Sequence, residues 1–103
     1  MVSAFEKMMQ TSLTFEEFNF SGDQEVSISK LVDMICNISN IDRETIVKNG
    51  PERPGKDAHY RLDCKKAQDQ LKWTPKVTLR QGLAEVYEWI SLNISKLSLY
   101  SWE

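Results

Sequence analysis

Residues 27–39 read SISKLVDMICNIS, and this stretch carries the clearest structural signal in the chain. Ser27 is a favoured N-cap residue, because its hydroxyl can accept a hydrogen bond from a backbone N–H of the first helical turn. Apolar residues then recur at helical spacing up to about Ser39. They are Ile28, Leu31, Val32, Ile35, Cys36 and Ile38. The pattern predicts an amphipathic helix, with Cys36 buried on its apolar face.

Short extended segments and a loop follow this helix. Ile46 and Val47 indicate a short strand, and residues 59–62 a second extended piece. Between them residues 49–55 read NGPERPG, and their two prolines and two glycines predict an ordered, turn-rich loop.

The last third of the chain carries two further helical patterns. Asp63 is a candidate cap for a short helix that runs through Leu71, and Thr78 for a longer one that reaches Ile90. Pro75 separates the two helices. Trp73 closes the shorter helix, and a tryptophan in that place is predicted to pack into the core.

Upstream of residue 27, apolar positions within residues 1–10 predict an amphipathic helix. Residues 15–20 alternate loosely between aromatic and polar side chains, which indicates a short strand that stops at the turn Ser21-Gly22-Asp23. The elements together predict a small mixed α/β lobe of three to four helices with short strands. A length of 103 residues is one domain's worth of sequence.

Composition excludes several classes of protein. The formal net charge is −2 and the basic residues are spread along the chain, so no nucleic-acid partner is expected. Cys36, Cys64 and a single histidine, His59, do not supply a zinc site of the usual types, so no metal is predicted. We find no signal-peptide pattern and no apolar run near the roughly 20 residues that cross a bilayer, so a cytoplasmic protein without a membrane partner is expected.

Catalytic patterns are missing from the sequence. The four glycines, at positions 22, 50, 55 and 82, do not form the glycine-rich turn that places a dinucleotide at a helix N-terminus. No tyrosine is followed four residues later by a lysine, the pair that lets a phenolate act as a base. We therefore predict no catalytic residue and no cofactor site within the chain.

Six motifs follow one another between residues 17 and 90: FNFSG at 18–22, VS at 26–27, RPGKD at 53–57, DCKKA at 63–67, LKWTPK at 71–76 and LRQGL at 79–83. In this order and spacing they resemble the C-terminal, substrate-binding region of extended short-chain dehydrogenase/reductases. These are the NAD-dependent nucleotide-sugar epimerases and dehydratases, and the motifs look most like those of dTDP-glucose 4,6-dehydratases. Many of those enzymes have histidine where this chain has Lys56.

The resemblance implies that the two parts of the parent enzyme have different functions. In such enzymes the N-terminal part holds the Rossmann domain, the NAD site and the catalytic tyrosine and lysine, while the C-terminal part covers the sugar nucleotide. Residues 1–103 would then be a single partial domain that lacks the Rossmann half and binds no NAD itself. We expect a truncated, substrate-binding lobe of a nucleotide-sugar 4,6-dehydratase or epimerase that is inactive alone.

The same resemblance implies the binding residues. Arg53 would reach the nucleotide diphosphate and Asp57 would bind near the nucleoside ribose, which suits a bidentate guanidinium and a carboxylate acceptor. Lys56 and His59 are further candidates, with Lys56 able to contact phosphate as a point charge. Without the resemblance, Arg53 would be an ordinary exposed arginine of a Pro/Gly loop. Asp57 is also a favoured turn residue that bonds its own backbone. Lys56 and His59 are expected to be surface residues in the first place, because neither has a second group that specifies a ligand.

The expected partners are a dTDP-, UDP-, GDP- or CDP-sugar, and either a chain that carries the Rossmann half or a second copy. The alternative is a free-standing small α/β interaction module that derives from the same lobe and binds no sugar nucleotide.

Overall fold

The computed structural model describes residues 1–12, 14–22, 24–51, 53–57 and 59–100. In these ranges the chain forms five helices, and none of the residues in them lies in a strand. The helices are α1 (Val2–Met9), α2 (Ile28–Ser39), α3 (Arg43–Ile46), α4 (Lys65–Leu71) and α5 (Leu79–Leu97). Asp23 of the predicted turn and Glu52 of the predicted loop lie outside the described residues.

The predicted mixed α/β class is not confirmed, because the described chain is helical. Ile46, assigned to a strand from the sequence, is the last residue of α3. Asp42 is the N-cap of that helix, and its carboxylate accepts a hydrogen bond from the Glu44 N–H at 3.2 Å. In the predicted strand at 15–20, Phe15 has a φ of +60°, which no strand accommodates. An extended segment becomes a strand only where a second backbone edge lies beside it, and alternation of residue types cannot show that edge.

The predicted helices are confirmed, together with two of their caps. The Ser27 hydroxyl accepts from the Lys30 N–H at 3.1 Å, and the Thr78 hydroxyl accepts from the Gln81 N–H at 3.3 Å. Asp63 lies one residue further from its helix than expected, and its carboxylate accepts from the Lys65 N–H at 2.8 Å. Each of these bonds satisfies an N–H that has no partner within the helix itself.

The chain divides into two compact units, and each consists of two separate segments. The first unit contains Met1–Glu25 and Glu52–Lys76, and the second contains Val26–Pro51 and Val77–Glu103. Helices α1 and α4 therefore belong to the first unit, and α2, α3 and α5 to the second.

The first unit has a small apolar core around Trp73. Lys72 adopts a left-handed conformation with φ of +52°. The backbone N–H groups of Lys72 and Trp73 both donate hydrogen bonds to the carbonyl of Ala67. This reversal ends α4 and brings Trp73 into a cluster with Ala4 and Leu71. Met8, Phe18 and Phe20 pack against that cluster. The prediction that Trp73 packs into the core is confirmed, since it is 7% exposed.

Two polar and aromatic contacts fix the orientation of the Trp73 ring. Its indole Nε1–H donates to the Ser3 hydroxyl at 3.1 Å, which ties the ring to α1. The Phe20 ring meets Trp73 edge to face, at a centroid distance of 5.0 Å and an angle of 83°. A buried indole N–H is costly without a partner, so the bond to Ser3 permits the burial.

In the second unit α2 packs against α5 and contacts α3. Cys36 is buried on α2, as its place in the apolar pattern predicts. Arg43 ties α3 back to α2 through an ion pair with Asp33 and through bonds to Ser29, whose hydroxyl lies 3.0 Å from Nη2. No residue of α5 is buried. Within the described ranges, none of the helices combines the length and apolar character that a membrane crossing requires.

We expect Leu71→Ala to destabilise the chain strongly. Leu71 is 5% exposed within the small core, so its truncation leaves a cavity and costs about 2–5 kcal/mol. Leu92→Ala is the matched control, because Leu92 is 77% exposed on α5. Urea denaturation followed by far-ultraviolet circular dichroism measures both free energies of unfolding. Equal effects of the two substitutions would contradict a core around Trp73.

Candidate functional site

The loop at residues 53–57, RPGKD, forms a turn centred on Pro54 and Gly55. Gly55 has a φ of +75°, in the region that glycine enters without steric cost. Pro54 fixes its own φ, so the two residues together restrict the path of the backbone. The turn-rich loop predicted from the sequence is therefore present in its described part.

All four predicted binding residues are exposed. Arg53 and Asp57 make no hydrogen bond or ion pair with any of the described residues, so both are available to a ligand. His59 is instead committed to a contact, because its Nδ1 lies 3.2 Å from Glu25 Oε1. Lys56 is exposed on the same loop. The cavities found among the described residues are not lined by any of the four.

Residues that follow the loop in sequence line one side of a cavity of about 320 Å³. It is lined by Ser21, Gly22, Gln24, Glu25, Tyr60, Arg61 and Leu62. A second cavity of about 620 Å³ shares Ser21, Gly22 and Leu62 and adds Asp63, Cys64, Lys65, Gln68, Thr74 and Pro75. Neither cavity includes a predicted binding residue. A mixture of hydroxyl, amide and charged groups lines both, and such groups suit a polar ligand.

Glu25 lines the smaller cavity and contacts two basic side chains. Its Oε2 lies 2.8 Å from Arg61 Nη2, and its Oε1 contacts His59. The hydrogen bond from Arg61 lowers the pKa of the Glu25 carboxyl below its usual value, partial desolvation opposes this shift, and the bond from His59 adds to it. The carboxylate therefore stays ionised to a lower pH than a free glutamate.

Glu25 and Arg61 were not predicted from the sequence. One local signal was present, because His59 and Arg61 are alternate residues, and alternate side chains of an extended segment lie on one side. Nothing in the sequence showed that Glu25, 34 residues before His59, would meet them. Among the described residues we find no group of three or more histidine, cysteine or acidic side chains that could hold a metal ion.

Comparison of the sequence with known proteins finds several relatives. The chain is 33% identical over 93 residues to the dTDP-glucose 4,6-dehydratase of Haemophilus influenzae, an alignment that covers 78% of this chain and 27% of that enzyme. It is 31% identical to the dTDP-glucose 4,6-dehydratase of Streptomyces niveus, with 76% of this chain and 23% of the enzyme covered. The chain belongs to the NAD-dependent epimerase/dehydratase family.

One less similar relative is named for a UDP-sugar, whereas the two enzymes above are named for a dTDP-sugar. The trifunctional UDP-glucose 4,6-dehydratase, epimerase and reductase of Arabidopsis thaliana is 28% identical, over 87% of this chain and 13% of that protein. The chain spans about a quarter of the length of the dTDP-glucose 4,6-dehydratases that it matches. No family model and no solved structure matches the chain.

We expect Gly55→Ala to disturb the 53–57 loop through its backbone alone. A Cβ at position 55 meets nothing within 4 Å, so any cost comes from the positive φ. That cost is about 1 kcal/mol, which lowers the population of this conformation about fivefold. Gly50→Ala is the control, because a Cβ there also meets nothing. Amide NMR spectra measure the change, and loop signals that are unaltered by Gly55→Ala would contradict the positive φ at position 55.

Proposed function

We propose that this chain is the sugar-nucleotide-binding lobe of a nucleotide-sugar 4,6-dehydratase of the epimerase/dehydratase family. The observation that carries the proposal is Arg53, an exposed arginine without a partner among the described residues, beside the Pro54–Gly55 turn. The similarity to dTDP-glucose 4,6-dehydratases over three quarters of the chain supports the choice of ligand.

The chemistry of the 53–57 loop suits a nucleoside diphosphate. A guanidinium donates two parallel hydrogen bonds to phosphate oxygens, and these charge-assisted bonds are stronger than neutral ones. The Asp57 carboxylate accepts hydrogen bonds, which suits a hydroxyl of the nucleoside sugar. Lys56 adds positive charge near the phosphates. We assign His59 a lesser part, because its ring already contacts Glu25.

We place the chemical step outside these 103 residues. A 4,6-dehydratase of this family begins with transfer of a hydride from sugar C4 to NAD. The glycines of this chain do not form a dinucleotide-binding turn, and no tyrosine here is followed four residues later by a lysine. In the proposal, the Rossmann part of the family holds NAD and the catalytic pair, and this lobe supplies affinity and orientation for the sugar nucleotide.

The exposed apolar face of α5 supports a partner for the lobe. Large apolar side chains lie exposed along the helix, namely Val86, Tyr87, Trp89, Ile90, Leu92 and Ile94. Large apolar side chains exposed in this number mark a helix that associates with a partner. We propose that the rest of the family polypeptide, as a partner chain or a continuous one, covers part of this face. The same face also suits the alternative function, a free-standing interaction module, and nucleotide binding separates the two proposals.

We expect Arg53→Ala to weaken the binding of dTDP more than tenfold. Loss of a hydrogen bond to a charged group costs about 1.5–3 kcal/mol, while an exposed loop position contributes little to folding. Titration of the isotope-labelled chain, followed by NMR, measures weak as well as tight binding. UDP in place of dTDP tests which nucleotide is preferred.

Arg80→Ala is the matched control for charge, because Arg80 is an exposed arginine near the start of α5. It should leave the affinity for dTDP unchanged, and Arg53→Lys should keep only part of it. Equal losses from the two alanine substitutions, or none from Arg53→Ala, would mean that the 53–57 loop is not the phosphate site. Absence of any nucleotide binding by the wild-type chain would favour the interaction module.

We also expect the chain to self-associate at high concentration, or to bind a dye specific for apolar surface. Trp89→Ser and Leu92→Ser should reduce both effects, since these side chains are 57% and 77% exposed on α5. Glu88→Ser, at an exposed polar position of the same helix, should change neither. Sedimentation velocity and dye fluorescence measure the two effects. A strictly monomeric chain that binds no dye would contradict a missing partner.

A further inference from the structure

Glu25 joins two segments of the first unit that are far apart in sequence. Its two carboxylate oxygens take one contact each from the segment after the 53–57 loop: Oε2 lies 2.8 Å from Arg61 and Oε1 lies 3.2 Å from His59. His59 comes two residues after Asp57. One side chain therefore links residues 59 and 61 to the segment that ends at Glu25.

Two proposed binding side chains of the loop are not held by contacts with the described residues. Arg53 and Asp57 are exposed and bond to none of the described residues. The Pro54–Gly55 turn sets the local path of the backbone, but a turn cannot set the direction in which the loop leaves the rest of the unit. A contact from residue 59 or 61 to a distant segment can do so, because it limits where the end of the loop lies.

We propose that Glu25 is a positioning residue, which holds the segment at 59–61 so that the 53–57 loop presents Arg53 and Asp57 to a nucleoside diphosphate in one arrangement. The inference rests on the proposed function of the loop. Glu25 itself need not touch the ligand. Its part is to reduce the conformational freedom that binding would otherwise have to remove.

Charge and exposure decide how large the effect is. The side chains of Glu25, His59 and Arg61 are 49%, 71% and 70% exposed, and exposed ion pairs contribute little to global stability. Loss of Glu25 should therefore leave the helices folded and loosen the segment at 59–61. In a variant without Glu25, the segment would have to become ordered when dTDP binds. That cost should weaken the affinity for dTDP about two- to tenfold.

The titration of Glu25 provides a signature that a mere packing role would not produce. Arg61 holds the pKa of the Glu25 carboxyl below its usual value, and among the described residues the carboxylate contacts the side chains of Arg61 and His59. A group with a lowered pKa keeps its contact above that pKa and loses it as the pH falls through it. In Arg61→Ala the pKa of Glu25 should rise toward the ordinary value, which carbon NMR of the carboxyl measures directly.

The experiment compares Glu25→Gln, Arg61→Ala and the double substitution in the full 103-residue chain. Asp69→Asn is the matched control, because it removes another exposed ion pair of the same unit, with Lys65 at 2.7 Å on α4. We expect Glu25→Gln to weaken dTDP binding two- to tenfold, to raise amide exchange at 59–61, and to add little to Arg61→Ala. Asp69→Asn should change neither measurement.

Two outcomes would overturn the proposal, and they differ from failure of the proposed function. If wild type binds dTDP and Glu25→Gln alters neither the affinity nor amide exchange at 59–61, Glu25 does not position the loop. If Asp69→Asn weakens binding equally, the effect is one of general charge. If wild type binds no nucleotide, the proposed function fails and the positioning role fails with it, even where amide exchange still shows that Glu25 orders the segment.

Discussion

Trp73 lies where the reversal at Lys72 returns the chain to α1, and the first unit depends on the packing of that ring. The indole contacts the cluster with Ala4 and Leu71, bonds to Ser3 and meets the edge of Phe20. It thereby joins α1, the end of α4 and the segment before residue 25. Glu25, which forms the ion pair with Arg61, is the last residue of that segment of the first unit.

The helices were predictable because their signals are local. Ser27 and Thr78 precede apolar residues at helical spacing, and each hydroxyl satisfies an N–H three residues later. Trp73 was predictable for a related reason, since a large aromatic ring that follows a short helix has few alternatives to burial. The helix α3 was missed because it has only four residues and because Ile46 and Val47 are β-branched.

The predicted strands are not confirmed among the described residues, because strand formation depends on a partner that the sequence does not reveal. The predicted strand at 15–20 includes Phe15, whose positive φ excludes a regular strand. In the candidate site the turn at Gly55 could be predicted, since prolines and glycines act on their own backbone. The pairing of Glu25 with Arg61 could not, because 36 residues separate them and only the folded chain brings them together.

The division of each unit into two segments constrains how the chain can fold as it is synthesised. Residues 1–25 meet their partners only when residues 52–76 are available, and residues 26–51 must wait for those after 77. Closing such long loops costs entropy before any core contact forms, so little of either unit is stable in a growing chain. A contiguous deletion from either end therefore removes part of at least one unit, and no single cut yields one complete unit by itself.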